Sequence, residues 1–375
     1  MTSPPSWTDL EVRQDELLKP YTTFKIGGPA RYFVNIRNSA DLIQAVEFAR
    51  AQRLPIFVLG GGSNLLVSDR GFDGLVLHPV HEGVAIIADG PATVTLCSQA
   101  AEVWDHVVAH TVENGWWGIE NLSHIPGQAG AALVQNIGAY GQQLSDVFAG
   151  AEVVDLQSGK PRSFTANDCQ LGYRRSIFNT ANGQFFILSV TLKLAKAYQP
   201  NLGYADVQKY FENRQIVRPT QREIREAIIA IRDRKFPFPR EEKGGNAGSF
   251  FKNLILTAGE FEQLESAVRK NFGPEALARI QELARRGAGA DEIKVPTALL
   301  MDLCGLQGLQ IGRARVNPTQ PLVLLNEGGA TADDVMRLAQ HIRRTVYRRT
   351  DMTISMEPEL VGFTQAELKN YLTLE

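Results

Sequence analysis

Two glycine-rich segments are the first residues of this sequence whose types and spacing could do chemistry. The first is Gly60-Gly61-Gly62-Ser63-Asn64, which directly follows an apolar stretch at 56–59. Glycines at the end of a strand expose successive backbone N–H groups that no Cβ obstructs, so the turn could bind an anion such as a phosphate. A tight connection after a strand explains the segment equally well, because its spacing is neither that of a P-loop nor that of a dinucleotide fingerprint.

The second glycine-rich segment runs from Ile125-Pro126-Gly127 through Gly130 and continues to Tyr140. Its small residues would allow a planar or phosphorylated ligand to approach the main chain closely, and Asn136 and Tyr140 add a polar and an aromatic group. The structural alternative is a bulged helix start that packs against a sheet. Two glycine loops within one predicted domain favour ligand binding over that alternative.

Three later segments carry polar groups in mixed apolar and small-residue surroundings. They are Arg174 within 171–178, Ser249 within 244–253, and the carboxylates Glu357 and Glu359. Each has an ordinary explanation as a solvated arginine, a serine in a glycine turn, or carboxylates that solvate the end of a strand. Ser249 lies in no Gly-x-Ser-x-Gly motif and has no evident His and Asp partners, which disfavours a hydrolase nucleophile.

Strands and helices before residue 236 must position the two glycine-rich segments and Arg174. Apolar patterns predict strands at 32–36, 56–59, 151–156 and 185–194. They also predict a helix that Ser39 caps, with Leu42, Ala45, Val46 and Ala49 on one apolar face, a helix at about 101–114, and a helix that follows a capping box at Thr220–Glu223. Pro237 and Pro239 should end the last helix near Lys235, and we place a domain boundary there. The remaining third predicts helices near 258–272, 274–286 and 331–348, strands near 323–325 and at 352–356, and a final helix capped by Thr364–Glu367.

Composition narrows the class of protein. The 375 residues are 44% hydrophobic and 21% charged, which suits a globular protein of two or three domains. A net charge of −2 with interspersed signs argues against nucleic-acid or membrane-surface binding. Neither an apolar run of membrane-spanning length nor a basic, apolar leader is present, and Cys97, Cys169 and Cys304 have no paired or zinc-site spacing, so we expect a cytoplasmic protein without a metal.

The motifs together resemble the UDP-N-acetylenolpyruvoylglucosamine reductase family of the vanillyl-alcohol-oxidase-like flavoprotein fold. The matching pieces include Thr23–Gly28, Leu59–Leu66, Gly118–Leu122, Ile125–Gly127, Gln135–Gly141 and the segments around Arg174, Ser249 and Glu359. The similarity extends in order from about Tyr21 to Leu360. It implies an α+β, two-part FAD-binding fold with a smaller C-terminal α+β domain. The expected parts are FAD-binding subdomain 1 at 1–80, FAD-binding subdomain 2 at 81–238 with 352–375 returning to it, and a substrate-binding domain at 239–351.

The resemblance implies a dissociable FAD. Relatives that attach flavin covalently commonly use a His or Cys near these loops, and the Gly60–Asn64 turn contains neither. We expect the nearby His124 to brace its loop or to lie at the surface. The implied cofactor-binding residues are Gly60, Gly61, Gly62, Ser63, Asn64, Ile125, Pro126, Gly127, Gly130, Asn136, Gly138, Ala139 and Tyr140.

The implied activity is NADPH-dependent reduction of UDP-N-acetylglucosamine enolpyruvate to UDP-N-acetylmuramate, a step of peptidoglycan precursor synthesis. Arg174 and Glu359 would stabilise the charge that hydride addition creates, and Ser249 would donate the proton. Arg175 is expected to be a surface residue. The implied substrate-binding residues are Tyr173, Tyr204, Lys235, Asn253 and Gln320, with Tyr204 typical of the subtype that has a tyrosine loop.

The lack of a separate dinucleotide fingerprint suggests that NADPH and the UDP-sugar use one site in turn, which predicts ping-pong kinetics. We expect a monomer that has no nucleic-acid or membrane partner. Two alternatives stay open at this point. One is a sugar-alcohol or lactone oxidase on the same flavin fold, which would not require Ser249. The other is a flavin-carrying or partner-binding module, which would not explain why Arg174, Ser249 and Glu359 occur together in matching motifs.

Overall fold

The computed structural model describes residues 10–180, 183–235, 244–286 and 292–374. They form two compact units, each assembled from separate parts of the chain. Unit 1 contains 10–16, 30–61 and 73–234, and unit 2 contains 17–29, 62–72 and the described residues from 235 onward. The chain therefore passes from unit 1 to unit 2 inside the first glycine loop, between Gly61 and Gly62.

The strands in chain order are β1 Arg13–Leu17, β2 Pro29–Ile36, β3 Ile56–Val58, β4 Leu65–Val67, β5 Phe72–Pro79, β6 Val84–Asp89, β7 Thr93–Gln99, β8 Gly138–Ala139, β9 Gln142–Gln143, β10 Phe148–Asp155, β11 Lys160–Phe164, β12 Phe185–Ala195, β13 Leu254–Leu256, β14 Arg285–Arg286, β15 Ile293–Val295, β16 Gln310–Ile311, β17 Ala314–Val316, β18 Leu324–Asn326 and β19 Glu359–Val361. The helices are α1 Ser39–Gln52, α2 Trp104–Glu113, α3 Ala129–Val134, α4 Ala166–Cys169, α5 Ile177–Thr180, α6 Ala205–Glu212, α7 Gln221–Lys235, α8 Ala258–Phe272, α9 Pro274–Leu283, α10 Thr297–Leu303, α11 Ala332–Thr350 and α12 Gln365–Leu372.

Unit 1 contains two main sheets. One has the strand order β1-β2-β5-β3, and the other is an antiparallel sheet in the order β11-β10-β12-β7-β6. The central strand β12 is mostly buried, which agrees with its nearly continuous apolar sequence. The predicted apolar face of α1 is also buried, but Asn38 rather than Ser39 caps this helix, because its side chain accepts a hydrogen bond from the N–H of Asp41 at 2.9 Å.

Unit 2 has one large apolar core, to which α11 contributes a stripe of buried residues at helical spacing. Thr331 and Asp334 form a capping box at the start of α11. Asp69, from the distant segment 62–72, adds to this cap by accepting hydrogen bonds from the N–H groups of Ala332 (2.8 Å) and Asp333 (3.2 Å). A carboxylate at this end of a helix also complements the helix dipole.

The last segment of the chain differs from the sequence-based expectation. Residues 352–356 form no strand; only Met356 makes an isolated bridge, to Phe251. The strand lies instead at Glu359–Val361, where it pairs in parallel with β4. Residues 352–374 belong to unit 2. The predicted helix at 274–286 ends at Leu283.

Several other predictions agree with the structure. The capping boxes at Thr220 and Thr364 are formed, and α8 spans the predicted residues. The proposed boundary between 238 and 239, with Pro237 and Pro239, lies outside the described residues. No helix among the described residues is long and apolar enough to cross a membrane. Within the same residues, no group of three or more His, Cys, Asp or Glu side chains could hold a metal ion.

Candidate active site

The two glycine segments meet in unit 1. A Cβ atom built on Gly61 would lie 2.7 Å from the Cα of Gly127, and one on Gly60 would lie 3.2 Å from Oε1 of Gln128 and 3.3 Å from the Cβ of Ala131. The 2.7 Å contact with a backbone atom leaves room only for glycine at position 61, whereas the contacts of Gly60 are tight but are made with side-chain atoms. Gly127 also has a φ of +119°, which side-chain-bearing residues rarely adopt. The structure therefore brings together the two segments that the sequence singled out separately.

The backbone donors around these loops show which of them are available to a ligand. No described residue accepts a hydrogen bond from the N–H groups of Gly60 through Asn64 or from that of Gln128. The N–H of Gly130 is already used, because it donates to the carbonyl of Ala100 at 2.9 Å. Gly130 is needed for packing, since its Cβ would lie 2.8 Å from that of Ala100. Unpaired N–H groups on loops without Cβ atoms fit the phosphate oxygens of a dinucleotide.

Arg174 is held against the later part of the second glycine segment. Its backbone is left-handed, with a φ of +52°, and its Nη2 donates to the carbonyl of Gly138 at 2.9 Å. Asn136 donates from Nδ2 to the carbonyl of Gly172 at 3.0 Å, which ties the same two segments again. The guanidinium lies 5.7 Å from the ring centre of Tyr173, and Arg175 is exposed, as expected. Half-buried Ile125 packs against the neighbouring core.

The loop that carries Tyr204 is tied to the same glycine segment. Asn121 is fully buried and donates from Nδ2 to the carbonyls of Tyr140 and Asn201, both at 2.8 Å. Asn201 in turn donates to the carbonyl of Gly141 at 2.7 Å. The rings of Tyr140 and Tyr204 meet edge to face at 5.2 Å. Sequence reasoning did not assign Asn121 and Asn201; the signal was the polar Glu-Asn pair inside the Gly118–Leu122 motif.

Tyr140 lies beside a buried cation. Burial raises the pKa of Tyr140 to about 12, against the opposing effect of Arg232, to which its hydroxyl is hydrogen-bonded. Burial also lowers the pKa of Arg232. The Nε of Arg232 donates to the carbonyl of His124 at 2.9 Å, so α7 fixes both Tyr140 and the start of the second glycine segment.

His124 braces its loop, as predicted. Its N–H donates to Oδ1 of Asp105 at 2.5 Å, and its Nε2 lies 3.0 Å from Oδ1 of Asp233. Asp105 also accepts two hydrogen bonds from Arg225, at 2.6 and 2.7 Å. Burial alone would raise the pKa of Asp105, but Arg225 and the His124 N–H together hold it below its usual value.

Unit 2 carries Ser249 on a loop anchored by aromatic residues. Phe250 and Phe251 are buried in the core, and Gly248 has a φ of +71°. Thr23, from the Thr23–Gly28 motif, donates from its hydroxyl to the carbonyl of Asn246 at 2.8 Å and from its N–H to that of Gly62 at 3.1 Å. The hydroxyl of the half-buried Ser249 makes no hydrogen bond with any residue that the structure describes. It is therefore available to a bound substrate.

The segment just before Glu359 is hydrogen-bonded to the Ser249 loop. The N–H of Glu357 donates to the carbonyl of Phe250 at 2.8 Å, and that of Lys252 donates to the carbonyl of Ser355 at 2.9 Å. The Glu359 side chain can be reached by solvent, yet enough protein surrounds it that burial raises the pKa of its carboxyl. The structure thus brings the segments of Ser249 and Glu359 together in unit 2, whereas Arg174 belongs to unit 1.

Three further residues that were predicted to contact the substrate, Gln320, Asn253 and Lys235, also belong to unit 2. Gln320 belongs to a turn that leads to Leu322, whose carbonyl accepts from the N–H of Phe250 at 2.6 Å. Asn253 accepts through Oδ1 from the N–H of Thr297 at 3.2 Å. The carbonyl of Lys235 accepts from Nδ2 of Asn317 at 3.3 Å.

Comparisons with known proteins agree with this organisation. Residues 30–165 match the model of the FAD binding domain, and residues 239–361 match that of the UDP-N-acetylenolpyruvoylglucosamine reductase C-terminal domain. The UDP-N-acetylenolpyruvoylglucosamine reductase of Pseudomonas aeruginosa is 39% identical over 352 residues, which cover 94% of this chain and 99% of that protein. The Burkholderia multivorans protein of the same name is 39% identical over 364 residues, covering 96% of this chain and 99% of its own length.

A solved structure is also similar. The crystal structure of UDP-N-acetylenolpyruvylglucosamine reductase from Thermus caldophilus has a TM-score of 0.62 at 22% identity, and the match covers 94% of this chain and 99% of that one. The expected α+β fold, with an FAD-binding part and a C-terminal domain, is confirmed, as is FAD as the cofactor. The match over 239–361 includes Ser249 and Glu359, which disfavours the oxidase alternative. By this similarity over nearly its whole length, the chain belongs to the UDP-N-acetylenolpyruvoylglucosamine reductase family.

Proposed function

We propose that the protein uses NADPH to reduce the enolpyruvyl ether of UDP-N-acetylglucosamine enolpyruvate, forming UDP-N-acetylmuramate for peptidoglycan synthesis. The relatives that match 94% and 96% of the chain bear the name of this reductase. The observation that carries the proposal is the pairing of the Ser249 loop with the Glu357–Glu359 segment, which places a hydroxyl and a carboxyl of raised pKa on two bonded segments.

FAD would supply the redox chemistry here, the transfer of hydride from NADPH to the substrate's double bond. Backbone N–H groups of the two glycine loops would hold the cofactor. Their unpaired N–H groups and the absence of Cβ atoms at Gly60, Gly61 and Gly127 fit its pyrophosphate. Neither loop contains a cysteine, and His124 is occupied by its bracing contacts, which supports dissociable rather than covalent FAD.

Arg174 and Glu359 would stabilise the charge that develops when hydride adds to the terminal vinyl carbon. Negative charge then forms on the adjacent carbon and its carboxylate. The Arg174 guanidinium is fixed by the carbonyl of Gly138 and can donate charge-assisted hydrogen bonds to that carboxylate. The raised pKa of Glu359 keeps a larger fraction of its carboxyl protonated near neutral pH, and only the protonated form can donate a hydrogen bond.

Ser249 would deliver the proton that completes the lactyl ether. Its hydroxyl has no competing partner among the described residues, and Phe250 and Phe251 fix the loop that presents it. We assign substrate contacts to Tyr173, Tyr204, Lys235, Asn253 and Gln320 by the same family resemblance. NADPH and the UDP-sugar would use one site in turn, with ping-pong kinetics and a monomeric protein that binds neither nucleic acid nor membrane.

Half-reactions of the Ser249→Ala variant test the proposal. We expect NADPH to bleach the bound flavin at the wild-type rate, because that step needs no proton from Ser249. Reoxidation of the reduced enzyme by the enolpyruvyl substrate should slow by about 10²- to 10⁴-fold, the usual contribution of a general acid. Stopped-flow absorbance under anaerobic conditions measures both steps. Ser266→Ala, on the exposed face of α8, is the matched control and should behave like wild type. Unchanged reoxidation in Ser249→Ala would remove Ser249 from the reaction.

A further inference from the structure

Asn64 connects the first glycine loop to the segment that carries Glu359. Its side-chain Nδ2 donates to the carbonyl of Glu357 at 3.1 Å, and its own carbonyl accepts from the N–H of Glu359 at 3.0 Å. The next residue, Leu65, begins the parallel pairing of β4 with β19. Family resemblance places Asn64 among the cofactor ligands, but its side chain points to the protein's own backbone.

The two bonds act on the two peptide groups that flank Pro358. The carbonyl of Glu357 belongs to the peptide before the proline, and the N–H of Glu359 belongs to the one after it. Proline has no N–H of its own, so these are the groups through which the turn can be oriented. A carbonyl oxygen only accepts hydrogen bonds, which fixes the Asn64 amide with its nitrogen toward Glu357.

Separate contacts hold the glycine loop and the Ser249 loop. Gly62 accepts from the N–H of Thr23, and the N–H of Glu357 donates to the carbonyl of Phe250. The backbone donors of the glycine loop therefore do not depend on the Asn64 side chain for their position. What that side chain adds is control of the backbone directly before Glu359.

We propose that Asn64 is a positioning residue for Glu359, with a side chain that orients the Glu357–Glu359 turn instead of binding FAD. This inference rests on the proposed catalytic role of Glu359. Because small displacements of a catalytic group cost up to about a hundredfold in rate, losing the Asn64 amide should slow the step in which Glu359 takes part by about 10- to 100-fold. It should leave the FAD affinity and the NADPH step within about threefold of wild type, because the glycine-loop N–H groups remain.

Holoenzyme variants Asn64→Leu, Glu359→Gln and the double variant test this. Leucine has nearly the shape of asparagine but cannot donate, and Asn64→Ser serves as a second variant if the leucine protein does not fold. The control is Asn271→Leu, which removes a similar bond from an asparagine amide to a distant carbonyl, that of Arg349 at 2.9 Å. FAD fluorescence gives the Kd, and stopped-flow absorbance gives flavin reduction by NADPH and reoxidation by the enolpyruvyl substrate.

We expect slow reoxidation in Asn64→Leu, none of this effect in Asn271→Leu, and a double variant no slower than Glu359→Gln alone. A more than tenfold rise in the FAD Kd, normal reoxidation per bound flavin, or additive losses in the double variant would each overturn the positioning role. If Glu359→Gln itself reoxidises normally, the assigned role of Glu359 fails, and the positioning role fails with it. Slow reoxidation in Glu359→Gln together with normal reoxidation in Asn64→Leu defeats the positioning role alone.

Discussion

Replacing Gly61 with alanine should weaken FAD binding, because the added methyl group would push the two glycine loops apart. Its Cβ would lie 2.7 Å from the Cα of Gly127, 3.1 Å from the carbonyl carbon of Gly127 and 3.2 Å from the N of Gln128. All three are backbone atoms, so no side-chain rotation relieves the overlap. Such overpacking costs about 1–3 kcal/mol. If this strain acts on the bound geometry, the FAD Kd rises by about 5- to 150-fold, since each 1.4 kcal/mol is a factor of ten.

Titration of the apoprotein with FAD, followed by quenching of flavin fluorescence, measures this effect. Gly259→Ala is the matched control, because a Cβ at Gly259 in α8 meets nothing within 4 Å. That variant should bind FAD normally and be slightly more stable, as alanine is preferred in helices. Thermal melting of both apoproteins shows whether Gly61→Ala remains folded. A folded Gly61→Ala variant with a Kd within twofold of wild type would refute the role given to the contact between the loops.

Two further predictions concern stability and pH. Asp105→Asn should lower the free energy of unfolding by about 2 kcal/mol at pH 7, because hydrogen bonds to a charged group usually contribute about this much. The control is Asp73→Asn, at an exposed ion pair, and its free energy of unfolding should not change measurably. The pKa of Asp105 is lowered in the folded protein, so its contribution to the free energy of unfolding is present above the ordinary carboxyl pKa and is lost as the pH falls through the folded pKa. Urea melts of wild type and Asp105→Asn should therefore become more alike as the pH falls below the ordinary carboxyl pKa. Glu359→Gln should melt at a higher temperature than wild type at pH 8, because the raised pKa shows that the ionised carboxylate is less well solvated in the folded state. The corresponding gain in the free energy of unfolding is at most about 1 kcal/mol, because solvent reaches the side chain, and it should disappear below pH 4. A melting temperature of Glu359→Gln at pH 8 that is equal to or lower than that of wild type would contradict this prediction.

Local signals in the sequence predicted much of the secondary structure. The capping boxes at Thr220 and Thr364 were recognisable, because both partners lie three residues apart and their hydrogen bonds need no other part of the chain. The prediction that Ser39 caps α1 was wrong, because Asn38 is the cap; serine and asparagine cap helices about equally well, and only the backbone geometry separates them.

Features that depend on distant partners could not be predicted in this way. The strand expected at 352–356 lies at Glu359–Val361, because β4 is its pairing partner and is nearly 300 residues earlier in the chain. The hydrogen bond from the Asn64 amide to the Glu357 carbonyl likewise joins residues 293 positions apart, so neighbouring residues give no sign of it. Gly130 was expected to serve the cofactor, yet its N–H is bonded to Ala100, a contact that its own segment does not reveal. The site residues themselves came from motif resemblance rather than from periodicity.

Each of the two units contains segments from distant parts of the chain, and this affects how the protein can be expressed and folded. Unit 2 takes β4 and Asp69 from 62–72, while α8 to α12 come from the part of the chain after residue 235. A C-terminal fragment beginning at 235 would expose the pairing edge of β19, and the N–H groups of Ala332 and Asp333 would lose the Asp69 carboxylate that accepts from them. During synthesis, 17–29 and 62–72 must wait until the end of the chain has left the ribosome, and contacts at such long sequence separation slow folding. Expression of the intact chain, rather than of separate halves, is therefore the route to a folded protein.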